Sequence, residues 1–161
     1  MSHASTLSDL YVRPLGVGDL PEVERHFLSL DFHDRNTRFS GAVADATICL
    51  YVRRIDITRA VLAGALEAWG SRLVGLAEAQ PTDRPGVVEL AVSVHPIHRG
   101  RGLGLRLLRQ VLLIAFARGA EAAEFQFDPA NAAIARLACA LGARAGQMRN
   151  WAEIGPVYAS L

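Results

Sequence analysis

The sequence predicts an α/β protein in which one mixed sheet of about six or seven strands is flanked by about four helices. The second half of the chain reads strand, helix, strand, with a connection long enough for a right-handed crossover between parallel strands. The region before it holds two neighbouring strand-like runs, which indicates an antiparallel hairpin. A chain of 161 residues is long enough for one core, so we predict a single domain over residues 1–161, with residues 1–9 flexible.

Short strands and helices alternate in the first half of the chain. The predicted elements are a strand over residues 11–15, a helix over 19–30, a polar connection over 31–41 and a helix over 44–54. Asp19 is the predicted cap of the first helix, and Pro21 lies in its first turn, where a missing N–H costs little. Residues 58–66 and 72–79 are the arms of the predicted hairpin, although the alanine-rich first arm also fits a helix.

The second half supplies the parallel strands. Its predicted elements are a strand over 87–95, a helix over 102–118, a strand over 122–127, a helix over 131–141 and two weak strands after residue 144. Alternation along the strand 87–95 predicts core positions at Val88, Leu90, Val92 and Val94. Glu89 lies on the other face, which suits a cleft because an unpaired carboxylate in a packed core is costly. The alternative is that Glu89 pairs with an arginine on a neighbouring strand.

The most informative stretch joins the strand 87–95 to the helix that follows it. This turn reads Arg99-Gly100-Arg101-Gly102-Leu103-Gly104. Glycine lets backbone N–H groups approach an anion closely, and the first N–H groups of a helix have no partner within the helix. The turn therefore predicts a binding site for a pyrophosphate group.

A dinucleotide-binding loop is the rival interpretation of this turn. That fingerprint requires Gly-x-Gly-x-x-Gly near the start of a domain, whereas these glycines fall at 100, 102 and 104. Asp128 follows the next strand, where an acid that holds a ribose would lie. A nucleotide-binding oxidoreductase thus stays open as the weaker alternative, while a Walker-type loop is excluded because the chain contains no lysine.

Composition limits the partners of the protein. The formal net charge is +1, which predicts neither nucleic acid nor a membrane as partner. The N-terminal segment lacks the layout of a signal peptide, and no apolar run is long enough to span a bilayer, which favours the cytoplasm. Cys49 and Cys139 show no metal-ligand spacing, so no metal is expected and both are predicted as buried thiols. The 51% hydrophobic composition is compatible with a homodimer.

At the turn over residues 99–104 the chain resembles the GNAT superfamily of acyl-CoA-dependent N-acyltransferases. Arg99, Gly102 and Gly104 meet the family's Arg/Gln-x-x-Gly-x-Gly/Ala element. The segment from Asn131 to Gly142 is similar to the family's Asn-led helix and the glycine that ends it. Upstream the order of elements agrees, and residues 34–39 are similar to a pattern of some bacterial members, including protein acetyltransferase domains.

The resemblance implies that acetyl-CoA is the cosubstrate and lies beside the central strand. Its pantetheine arm pairs with that strand where the next parallel strand splays away, and Val92 and Val94 are the matching positions. The diphosphate then rests on the amides of residues 99–104, with Asn131 reaching the cofactor from the following helix.

The resemblance also implies amine acylation, which requires a base because an alkylammonium has no free lone pair. Glu89 is the candidate base, within one residue of a glutamate that many family members use. The family often has a tyrosine as proton donor to the departing thiolate, but the corresponding residue is Ala138; Cys139 and Tyr158 are weak substitutes. This departure leaves a non-catalytic acyl-CoA-binding sensor or interaction module as an alternative.

The acceptor pocket is predicted between residues 32–39, the cleft face of the central strand and Trp151. Asp34, Arg35 and Arg38 are the candidates for binding the acceptor. The alternative for these charges is a helix cap with surface ion pairs. Whether the acceptor is a small-molecule amine or a protein lysine stays open.

Overall fold

A mixed sheet forms the centre of the protein. The computed structural model describes residues 10–68, 72–128, 130–145 and 151–154, so the N-terminal segment predicted as flexible lies outside the described residues. The sheet has seven strands in the order β1-β2-β3-β4-β5-β7-β6. The strands are β1 (Leu10–Pro14), β2 (Val61–Glu67), β3 (Leu73–Pro81), β4 (Val87–Val94), β5 (Ala122–Gln126), β6 (Arg144–Ala145) and β7 (Trp151–Ile154).

Helices connect these strands and confirm the predicted α/β class. Within the described ranges they are α1 (Leu20–Ser29), α2 (Phe32–Phe39), α3 (Asp45–Arg53), α4 (Leu103–Ala117) and α5 (Ala132–Ala140). Neighbouring strands are antiparallel except β4 and β5, which run parallel with α4 as the crossover between them. The hairpin of β2 and β3 also forms as predicted. Both strands are buried along most of their length, which removes the alternation that distinguishes a strand from a helix.

Helices cover the sheet on both faces. On one face the leucine-rich side of α4, with Leu107 and Leu108 fully buried, packs against β2, β3 and β4. On the other face α1 and α3 form a second core that includes Phe27 and Ile48. Leu90 belongs to the α4 core, so the alternation of β4 directs the neighbouring Glu89 toward the opposite face, where α2 lies.

β4 and β5 are paired over only part of their length. The parallel register joins residues 87–90 to residues 122–125, whereas β3 stays paired with β4 as far as Val94. Residues 91–94 therefore have one paired side and one open side. This gap lies immediately before the turn that leads into α4, and it positions the site described below.

The predicted secondary structure was wrong in two places, because in each of them an aspartate side chain accepts a hydrogen bond from a nearby backbone N–H. Residues 32–39 form α2 instead of an irregular connection, and the carboxylate of Asp31 caps this helix by accepting from the N–H of Asp34 at 2.8 Å. Residues 58 and 59 form a turn instead of the first residues of β2, because Asp56 accepts from the N–H of Thr58 at 2.9 Å and from its hydroxyl at 2.6 Å.

Side-chain predictions for Asp19 and for the cysteines also need correction. Asp19 does not cap α1 with its side chain; its carboxylate accepts from Arg13 at 2.7 and 3.0 Å and from the N–H of Gly16 at 2.8 Å. Cys139 is exposed and Cys49 is partly exposed, so neither is a buried thiol. Among the described residues no helix has both the length and the apolar character needed to cross a bilayer.

Candidate active site

A cleft of about 1170 Å³ opens where β4 and β5 part. Its walls are α2, the open side of β4, the turn before α4, the end of β5 and the first part of α5. The predicted site residues that line it are Asp34, Arg38, Glu89, Val92, Val94, Arg99, Gly100, Gly102, Leu103, Gly104 and Asn131. Two predicted site residues, Arg35 and Arg101, are not among the described residues that border it.

The turn before α4 offers backbone donors to this cleft. Gly100 and Gly102 have φ angles of 71° and 77°, in the left-handed region that disfavours residues with a Cβ. Within the described chain, the N–H groups of Gly100 and of residues 102–105 have no hydrogen-bond partner. A Cβ added at Gly104 would contact Leu137 and Val92 at 3.5 and 3.9 Å, so the turn packs closely against α5 and β4. The arrangement is a set of unpaired N–H groups at a helix N-terminus, which suits an anion.

Arg99 holds the turn from its side chain. Its Nε donates to the carbonyl of Val94 at 2.8 Å, and its Nη2 donates to the carboxylate of Asp34 at 2.5 Å. Asp34 therefore links α2 to the turn. Arg35, its neighbour, lies away from the cleft and donates to the carbonyls of Leu28 and Leu30 at 2.6 and 3.0 Å and to the carboxylate of Asp45 at 2.6 Å.

Asn131 stands at the start of α5, on the opposite wall. Its side-chain oxygen accepts from the N–H of Ile134 at 3.2 Å and so caps the helix. This bond uses the acceptor end of the amide and leaves the NH₂ end for the cleft. Further along α5, Ala138 is buried and supplies no hydroxyl. Tyr158 and the side chain of Trp151 lie outside the described parts of the structure.

Glu89 is a carboxylate without a cationic partner in the described parts of the chain. It is half-buried, and among the described residues it makes no hydrogen bond or ion pair. Burial raises the pKa of Glu89 above its ordinary value, and the negative charge of Glu124 raises it further. Glu89 also borders a second cavity of about 330 Å³ beside β5, where the Glu124 carboxylate is paired with Arg84. The alternative, a pairing of Glu89 with a neighbouring arginine, is thus absent from the described residues.

A buried polar cluster that the sequence interpretation missed lies beside Glu89. Glu78 on β3 is 1% exposed and forms an ion pair with Arg38, whose side chain is 11% exposed. The Tyr51 hydroxyl donates to Glu78 at 2.9 Å and accepts from Arg38 at 3.0 Å, and burial is the main cause that raises the pKa of Tyr51 to about 12. The guanidinium carbon of Arg38 lies 4.9–5.5 Å from the ring centres of Phe27, Phe39 and Tyr51. A carboxylate in the apolar run of β3 was the signal that would have revealed this cluster.

Two of the buried polar residues are histidines, His26 and His98. His26 on α1 is buried; its Nδ1 lies 3.3 Å from the carbonyl of Leu73, which only accepts, so its Nε2 accepts from the Ser93 hydroxyl at 2.8 Å. Burial lowers the pKa of His26 to about 4, so it is neutral at pH 7. His98 is buried beside the turn and lines the cleft, and its Nδ1 has no hydrogen-bond partner in the described chain.

Comparison with protein families agrees with this geometry. The model of the acetyltransferase (GNAT) family matches residues 23–143, which include the cleft-lining parts of α2, β4, the turn and α5. A search of curated proteins by sequence finds no match.

Solved structures with the same fold include several acetyltransferases. A spermidine N-acetyltransferase from Vibrio cholerae, solved with CoA and spermine, superposes with a TM-score of 0.72 at 18% identity, covering 96% of this chain and 99% of that one. The GNAT domain of S. lividans PAT gives 0.70 at 19% identity over 88% and 86%. The protein yncA from Salmonella typhimurium, solved with its cofactor acetyl-CoA, gives 0.66 at 18% identity over 91% and 93%. At these identities the likeness concerns the fold.

Proposed function

Because the chain belongs to the acetyltransferase (GNAT) family, we propose that it transfers an acetyl group from acetyl-CoA directly to a primary amine, with Glu89 as the general base. The family membership makes it an acyltransferase with acetyl-CoA as cosubstrate. The observation that carries the finer proposal is the unpaired, half-buried carboxylate of Glu89 in the cleft. The neighbouring buried acids, Glu78 and Glu124, are both paired with arginines.

The turn before α4 is the proposed diphosphate site. The amides of Gly100 and of residues 102–105 supply N–H donors at the positive end of the α4 dipole, whereas the N–H of Arg99 donates to the carbonyl of Pro96 at 3.2 Å. Positive φ angles at Gly100 and Gly102 aim the backbone without Cβ interference. The pantetheine arm follows the open side of β4 at Val92 and Val94, where β5 leaves the strand unpaired. The free NH₂ end of Asn131 supplies a further donor from α5.

Glu89 fits the role of base because of its surroundings. A carboxylate with a raised pKa is a stronger base than an ordinary glutamate. Glu78 does not fit this role because both of its oxygens already accept hydrogen bonds, from Tyr51 and from Arg38. The position of Glu89 between the cleft and the second cavity gives an amine access to its carboxylate.

The proposed reaction moves one proton from the ammonium to Glu89 and a second from the nitrogen to the sulfur. Glu89 takes a proton from the ammonium, and the freed lone pair on nitrogen attacks the thioester carbonyl carbon. A C–N bond forms, the C–S bond breaks, and its electron pair leaves with sulfur. The nitrogen loses its second proton, which ends on the sulfur, so the products are the N-acetyl amine, the thiol of CoA and the proton on Glu89. Water transfers this second proton, because Ala138 has no hydroxyl to donate.

Substitution of Glu89 by glutamine tests the proposal. A panel of primary amines is first screened with acetyl-CoA for release of the CoA thiol. With an amine that reacts, Glu89→Gln is expected to lower kcat by about 10²- to 10⁴-fold, the usual contribution of a general base. The affinity for CoA, measured by calorimetry, is expected to stay unchanged because Glu89 does not belong to the turn.

Glu121→Gln is the matched control, since Glu121 is exposed and lies outside the cleft-lining set. This variant is expected to keep wild-type turnover. If Glu89→Gln turned over amines as fast as the wild type, Glu89 would have no part in the chemistry.

A further inference from the structure

Arg38 has hydrogen-bond donors that the protein leaves unused. A guanidinium carries five N–H groups. The hydrogen bonds that Arg38 donates to Tyr51 and to Glu78 both come from Nη2. Within the described residues its Nε and Nη1 donate to nothing, and neither is a fully enclosed atom. Three aromatic rings surround the guanidinium, and Arg38 lines the cleft. Its unused N–H groups are therefore available to a molecule in the cleft.

Arg38 and Glu89 are close enough to hold two ends of one small molecule. On the sheet, Glu78 lies directly opposite Ala91, and Glu89 lies two residues from Ala91 on the same face. Glu78 and Glu89 are thus diagonal neighbours, about 7–8 Å apart at the backbone. Because Arg38 is paired with Glu78, Arg38 and Glu89 line the same stretch of the cleft floor. The small side chain of Ala91 between them leaves room for a ligand.

The hydrogen-bonding groups of this floor match the two ends of a zwitterion. Arg38 and Glu78 cancel, so Glu89 leaves the floor with one unmatched negative charge. An ammonium next to Glu89 and a carboxylate next to Arg38 would satisfy both groups. An unused N–H of the Arg38 guanidinium can donate a charge-assisted hydrogen bond to such a carboxylate.

We infer that the acceptor is an amino acid: its amine is deprotonated by Glu89 while its carboxylate accepts a hydrogen bond from an unused N–H of Arg38. The inference rests on the function proposed above and names its substrate class. The acyl transfer proceeds as already written, and the carboxylate takes no part in bond making. Arg38 is thereby a specificity-determining residue, and Glu78 with Tyr51 holds it in position.

A matched series of acceptors tests the inference. For L-leucine, its primary amide and 3-methylbutylamine, kcat/KM is measured by release of the CoA thiol, and the series is repeated for L-phenylalanine, its amide and 2-phenylethylamine. The free acid is expected to exceed both analogues by about 10- to 100-fold, the range for hydrogen bonds to a charged group. The full-length protein is used throughout.

Two variants separate recognition from folding. Arg38→Gln/Glu78→Gln removes both buried charges together, so no unpaired charge is left inside, and the preference for the acid is expected to fall to near onefold. Glu78→Gln alone keeps Arg38, and because the amide oxygen of glutamine and the Tyr51 hydroxyl still accept from its guanidinium, this variant is expected to retain the preference. Binding of CoA serves as the check that each variant is folded.

The outcomes distinguish this inference from the proposed function. If amides or simple amines react as well as the acids, in a reaction that still depends on Glu89, then the acceptor is not an amino acid and only this inference fails. The same conclusion follows if the preference survives in the folded double variant. If no amine gives Glu89-dependent release of CoA, both proposals fail.

Discussion

The turn over residues 99–104 and the α2 side of the sheet line one cleft with different chemical groups. The turn presents backbone N–H groups, and its conformation depends on glycines with positive φ. The α2 side presents side chains: an unpaired carboxylate at Glu89 and a guanidinium at Arg38 held by a buried acid. A backbone site is defined by the path of the chain, whereas a side-chain site is defined by charge and is altered by single substitutions. Three measurements distinguish the part of the cleft formed by backbone groups from the part formed by side chains.

Stability at acid pH should depend on the α2 side of the sheet. Burial lowers the pKa of His26 to about 4 in the folded state, whereas an unfolded histidine titrates near 6.5. As the pH falls, the unfolded state binds the proton first, so His26 contributes its full stability above pH 6.5 and loses it between about 6.5 and 4. The loss should approach about 3 kcal/mol.

Denaturant titrations between pH 7.5 and pH 4 measure this loss as a free energy of unfolding. His26→Gln should show a flatter pH dependence than the wild type, and His33→Gln, at an exposed position, should not. Equal slopes for the wild type and His26→Gln would mean that another group causes the acid sensitivity.

Backbone conformation should control the affinity for CoA. Gly102 has a φ of 77°, a region that costs a residue with a Cβ about 1–2 kcal/mol. Gly102→Ala should therefore unfold more easily by that amount and bind CoA about tenfold more weakly, as the turn relaxes and its N–H groups lose their common direction. Gly18→Ala is the control, because Gly18 has open space and no positive φ. Calorimetric titration with CoA that gave equal affinities for both variants would contradict the backbone origin of this site.

The smallest expected effect concerns the contact that joins the two regions. Asp34 accepts from Arg99 at 2.5 Å, but the Arg99 side chain is 45% exposed, so solvent screens the pair to about 0.5–1 kcal/mol. Asp34→Asn should lower the free energy of unfolding by that amount and change CoA affinity less than Gly102→Ala does. Asp45→Asn, which removes the exposed partner of Arg35, is the control. A tenfold loss of affinity in Asp34→Asn would show that the turn depends on α2 and that the two regions are not separate.

The same difference explains how much was predictable from the sequence. β4, α4, β5 and their parallel arrangement were predictable because strand alternation, glycines and a crossover length are local patterns. α2 was not, because none of its residues is buried and its helix depends on the cap from Asp31. The cluster of Arg38, Glu78 and Tyr51 joins three elements far apart in the chain, so no local pattern contains it. Val92, Asn131 and Glu89 were placed in the cleft as expected, whereas Arg35 supports the backbone around α1 instead.

The parting of β4 and β5 after residue 90 has a consequence for the folded protein before any substrate arrives. Strand edges with unsatisfied peptide groups invite association with other chains, and proteins normally blunt them at the rim of a sheet. Here such an edge lies in the interior of the sheet, at the floor of the cleft. In the binding mode proposed above, the thioester-bearing arm of acetyl-CoA lies along this edge as a temporary extra strand, so the supply of acyl carrier would also govern how well the sheet is completed.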